Sequence, residues 1–146
     1  MSDNDDILNS IKSSFQSALN IVAIKENIES EVFYILNLVK ESTSNIVYPE
    51  IKNIDKDDIL LNMISAYAIY DKAIYLKSET NPKIKHLLCE YSLSKSTGFP
   101  VTVRYKNEEF SCNTIDILKS TLKDILTTPE TAMAMANLFN GKDADY

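Results

Sequence analysis

The chain reads as an α+β domain that is predominantly α-helical, with about five to six helices and one β-hairpin, near residues 100–112, inserted before the last two helices. Three observations predict this. Apolar residues recur at steps of three and four through most of the 146 residues, the period of a helix with one buried side. The segment from Phe99 to Cys112 switches instead to alternating β-branched and aromatic residues, the signature of paired strands. Only two glycines occur, Gly98 and Gly141, and each stands where an element should end, so little of the backbone is built for positive φ.

The run from Asp5 to about Ala23 sets Ile7, Leu8, Ile11, Phe15, Ala18, Leu19 and Val22 at helical steps. Asn4 is placed to cap it, and Asp5 and Asp6 lie in the first turn, where the helix dipole favours anions. A polar interval at Lys25, Glu26 and Asn27 precedes a second stripe of Ile28, Val32, Ile35, Leu36 and Val39. The two stretches are expected to form a hairpin or one bent helix. Residues Asn45 to Ile54 lack a helical stripe and contain Tyr48 and Pro49; since proline has no amide hydrogen and restricts its predecessor, a loop is expected.

Asp55, Asp57 and Asp58 offer a cap and an acidic first turn to a long helix reaching about Leu76. Apolar residues cover several of its sides, which predicts a central position. Asn81 and Pro82 then open a helix through Ile84, Leu87, Leu88 and Tyr91, closing over Ser94 to Gly98. In the hairpin, Val101, Val103 and Tyr105 on one strand and Phe110 and Cys112 on the other form the inward set, leaving Thr102 and Arg104 outward. Residues Asn113 to Asp116 cap a helix through Leu118, Leu122, Ile125 and Leu126. Thr128 and Pro129 start the last one, which stops at Gly141. Residues 142–146 form a polar tail. With no repeat or low-complexity linker, residues 1–146 are expected to make a single domain, and a hydrophobic fraction of 45% suffices for its core.

Composition argues against several functions. The net charge is −6, and Arg104 is the only arginine, so the basic stripe that displaces counterions from nucleic acid is missing and no direct nucleic-acid partner is expected. An acidic N-terminus and the lack of any 18-residue apolar run predict neither export nor a membrane partner, and place the protein in the cytoplasm with Cys89 and Cys112 reduced. Without Gly-x-Gly or Gly-Lys-Ser/Thr there is no phosphate loop, and no cofactor is expected. On a helix, His86, Cys89 and Glu90 would share one side, with Cys112 as a possible fourth metal ligand. Neither a second histidine nor a paired Cys-x-x-Cys accompanies them, so no metal and no catalytic residue is assigned.

What remains is an acidic surface with tyrosine beside it. Carboxylates select basic partners, and phenol rings supply large contact area at low entropic cost. Asp55, Asp57, Asp58, Tyr67, Tyr70 and Asp71 are therefore the expected partner-binding residues. In size, acidity, helix content and tyrosine-beside-acid composition the chain is similar, as a class, to intracellular immunity proteins, a resemblance that carries over no individual residue. It implies a non-enzymatic module that neutralises a basic, nuclease-type toxin domain by occlusion. The alternatives are a structural or adaptor subunit or a DNA-mimic inhibitor and, from another class, a small hydrolase or metal-dependent enzyme using carboxylates or His86 and Cys89. Oligomeric state is not legible from composition.

Overall fold

The computed structural model describes residues 3–54 and 70–144. Among these, three helices and five strands follow in the order α1 (Asp3–Ser42), β1 (Val47–Asn53), β2 (Lys72–Ser78), β3 (Lys85–Ser94), β4 (Gly98–Tyr105), β5 (Glu108–Cys112), α2 (Ile115–Leu126) and α3 (Pro129–Phe139). The strands form one antiparallel sheet in sequential order, β1-β2-β3-β4-β5. This corrects the expectation of five to six helices and one hairpin: the hairpin is the last quarter of a five-stranded meander.

The two N-terminal stripes lie on a single 40-residue helix. Lys25, Glu26 and Asn27 include no glycine or proline, so nothing in the polar interval interrupts the hydrogen-bond ladder. The chain then reverses through Ser44 and Asn45, both left-handed at φ 53 and 67, while Thr43 Oγ1 accepts the amide of Val47 at 3.0 Å.

The expected loop at 45–54 is strand β1. Pro49 is tolerated there because β1 is an outer strand of the sheet, where a missing donor breaks no ladder on its open side. The end of the expected long helix is strand β2; its beginning, 55–69, lies outside the described residues. Ile74 and Leu76 face the core while Tyr75 and Lys77 lie on the other side, a period of two that a short apolar run shares with helical spacing.

The expected helix at 84–93 is strand β3, and a bulge explains its helical look. The β2–β3 register shifts between Ile74 and Tyr75, so that Ile74 pairs with Cys89 but Tyr75 with Leu87, leaving Leu88 as an extra residue. Leu88 and Cys89 are consequently buried side by side, breaking the alternation that would have marked a strand.

All three helices contribute to one core on a single sheet face. Ile28, Val32, Leu36 and Val39 from α1, Leu118, Leu122 and Ile125 from α2, and Leu138 from α3 meet Val47, Ile74, Leu76, Tyr91, Val101, Val103 and Cys112. The last two helices stand as the sequence implies. Thr114 caps α2 by accepting from the amide of Ile117, and Thr128 caps α3 ahead of Pro129. Past α3, Gly141 is left-handed at φ 72. Ser78 donates to the carbonyl of Leu138 at 2.6 Å and Asn81 to that of Gly141 at 3.2 Å, pinning the end of α3 to the β2–β3 connection. No helix among the described residues is long and apolar enough to cross a membrane.

Candidate functional site

The β4–β5 hairpin closes through Lys106 and Asn107, with Tyr105 paired to Glu108. Two-residue hairpin loops demand positive φ, and Lys106 supplies it at φ 57 without being glycine. Its ammonium lies 5.6 Å from the Tyr105 ring centre and forms an ion pair with Glu130 at the start of α3. The hairpin tip is thus tied to the helical layer.

Between the hairpin and α2 lies a cleft of about 210 Å³ lined by Tyr105, Glu108, Phe110, Thr121, Asp124, Ile125 and Thr128. Alternation along β4 and β5 brings Tyr105, Glu108 and Phe110 to the core face of the sheet. Spacing of three and four brings Thr121, Asp124 and Ile125 to one side of α2. The threonines are spent internally: Thr121 Oγ1 donates to the carbonyl of Ile117 at 2.8 Å, and Thr128 Oγ1 lies 3.1 Å from Tyr105 Oη and accepts the amide of Thr131. Glu108 and Asp124 are exposed, and among the described residues neither carboxylate has a hydrogen-bond or ion-pair partner. The cleft therefore has an aromatic and aliphatic wall and two unengaged negative charges at its rim. Arg104 and Lys106, the nearby cations, are already engaged by Glu90 and Glu130.

The opposite sheet face braces the same hairpin. Tyr70, one of the expected binding residues, is buried, and its ring lies 4.8 Å from the Arg104 guanidinium carbon. Its hydroxyl donates to Glu109, next in sequence to Glu108. Arg104 donates in turn to Glu90 Oε1 at 2.5 Å. Burial, reinforced by the neighbouring Glu109 carboxylate, pushes the Tyr70 hydroxyl up to about 12. Tyr70 thus holds the hairpin from behind and does not stand at the cleft mouth.

Asp71 lies elsewhere. Its amide donates to Ser92 Oγ at 2.7 Å and its carbonyl accepts from Ile54. It lines a separate cleft of about 260 Å³ with Lys25, Glu29, Lys72, Tyr91, Leu93 and Lys95. Asp55, Asp57, Asp58 and Tyr67 lie outside the described residues.

The helical face imagined for His86, Cys89 and Glu90 does not exist, because these residues are on strand β3. Cys89 is in the core, where burial pushes its thiol up to about 12. Glu90 lies on the other face, bound to Arg104. Cys112 is also buried as a free thiol. Among the described residues no group of three or more His, Cys, Asp or Glu side chains is placed to hold a metal ion.

Strand alternation in the sequence turns Tyr105 and Phe110 inward, but it singles out neither Glu108 nor Asp124. Periodicity places Asp124 beside Ile125's face of α2; nothing local says that this face docks against β5. Comparison of the chain with protein-family models, with curated proteins and with solved structures finds no match.

Proposed function

We propose that the protein is an acidic protein-binding module that captures a basic protein, acting as an immunity-type inhibitor that occludes a cationic, nuclease-type toxin domain. The observation that carries this reading is the cleft of Tyr105, Phe110 and Ile125 with unengaged Glu108 and Asp124 at its rim. Such a recess suits a lysine or arginine side chain. The aliphatic stem packs on the ring and Ile125 walls while the charged head meets the carboxylates. A chain charge of −6 adds long-range steering of a cationic partner. The bracing of the hairpin by Tyr70 and Lys106 supports it further, since a preformed recess loses less entropy on binding. A cytoplasmic location belongs to the same reading, supported by two cysteines that are both free thiols.

The test uses the intact protein and a Glu108→Gln, Asp124→Asn double variant as baits in low-salt extracts of the source cell. The expected result is a basic polypeptide retained by the wild type, released as salt is raised toward about 0.5 M, and recovered at least tenfold less on the variant. Equal recovery on both baits, or recovery of acidic polypeptides alone, would refute the reading.

A further inference from the structure

Every residue of α1 from Asp3 to Asn20 is exposed, so the first five turns project from the domain as an arm of roughly 27 Å. Along it Leu8, Ile11, Phe15, Ala18 and Val22 recur at alternating steps of three and four, flanked by Ile7 and Leu19, the spacing of a two-helix seam. These side chains are open to solvent; Ile11 is 60% and Phe15 63% exposed. At 100° per residue the centre of the stripe lies about a quarter-turn from the Ile28–Val39 stripe that faces the sheet, and the steps that would join the two fall on charged Lys25 and Glu29. A lone helix of this length is marginal in water without tertiary support.

We propose that the arm pairs with the arm of a second copy of this chain, antiparallel, to form a homodimer. Two arguments select this occupant. The first is area: Ile7, Leu8, Ile11, Phe15, Leu19 and Val22 expose on the order of 600 Å² per copy, so a pair that covers most of it buries about 1,000 Å², the threshold of a specific interface. The second is charge. A parallel pair would gather Asp3, Asp5 and Asp6 of both copies at one end. An antiparallel pair separates the two acidic tips and lays each along the partner's arm root, where Lys25 and Lys95 stand beside a single exposed acid, Glu26, with Lys25 Nζ 2.6 Å from the Lys95 carbonyl. Reversed about the midpoint between Phe15 and Ala18 the stripe falls on itself, with Ile11 facing Val22 and Phe15 facing Ala18 of the second copy, as a two-fold interface demands.

Sedimentation and light scattering at tens of micromolar should give twice the 16.5 kDa chain mass, and Phe15→Asp or Ile11→Asp should halve it. Both positions lie outside the core, so the variants keep the body's thermal transition. Orientation is read from cysteine substitution. A mixture of Ile11→Cys and Val22→Cys chains should form the mixed disulfide, while Leu8→Cys alone should not link to itself. A monomeric wild type overturns the proposal, whether the stripe then proves to bind lipid vesicles or a different protein. A dimer untouched by Phe15→Asp overturns it too, as does self-linking of Leu8→Cys, which marks a parallel pair.

Discussion

Tyr70 joins two unlike contacts in one side chain: a ring stacked on the Arg104 guanidinium and a hydroxyl bound to the Glu109 carboxylate. The ring contact needs only a π face, and the hydroxyl contact is a hydrogen bond to a charged acceptor, so substitution separates them. Tyr70→Phe keeps the first and removes the second. The expected cost is about 1–2 kcal/mol, the range for a bond to a charged partner that regains some solvation when freed. Urea titration reads it as a lower midpoint with an unchanged slope; an unchanged midpoint would mean that Glu109 draws nothing from Tyr70. Arg104 has a similar double duty. Its bond to Glu90 raises its pKa further above the ordinary guanidinium value, so it remains a fixed positive strut behind the hairpin and is not available to neutralise Glu108 or Asp124.

Helix and sheet meet closely where β4 begins beneath α1. Gly98 is left-handed at φ 86, and a Cβ there would stand 3.0 Å from Ile24 Cγ2 and 3.4 Å from Ile28 Cδ1. Gly98→Ala therefore combines backbone strain with a crowded contact between helix and strand, and about 1–2 kcal/mol of stability should be lost. Differential scanning calorimetry checks this as a lower Tm. At this scale the sequence was legible wherever local chemistry decides the outcome: alternation for β4–β5, a capped start for α2, and a threonine followed by proline at the start of α3. It was misleading wherever long-range pairing decides. The bulge at Leu88 lends β3 a helical spacing, and the outer position of β1 makes Pro49 harmless. The candidate cleft divides the same way. Tyr105 and Phe110 follow from strand alternation, whereas Glu108 joins them through its pairing with Tyr105 and Asp124 only because α2 lies against β5.

For the whole molecule, the two sheet faces do different work. One carries the core; the other carries ion pairs and rings, and these make stability depend on pH. Glu50 on β1 is held below the ordinary glutamate value by Lys52 and then by Lys77. Lys77 Nζ donates to its Oε2 at 3.2 Å, and Lys52 Nζ stands 3.1 Å from Oε1 as an ion pair without hydrogen-bond alignment. A depressed carboxyl contributes stability that is present above its unfolded pKa near 4.5 and lost as pH falls through the lower folded value. Tyr70 acts at the other limit. Its folded pKa of about 12 exceeds the ordinary 10, so its contribution is present below pH 10 and lost as pH rises toward 12. Tyr91, buried and bound to Glu29, is shifted the same way. The stability profile should therefore be flat through neutrality and fall at both ends by separable mechanisms. Glu50→Gln should flatten the acid limb and leave the alkaline one unchanged, and Tyr70→Phe should flatten only the alkaline limb. Urea midpoints measured from pH 3 to 11.5 distinguish this from generic charge repulsion, under which neither substitution would change one limb without the other.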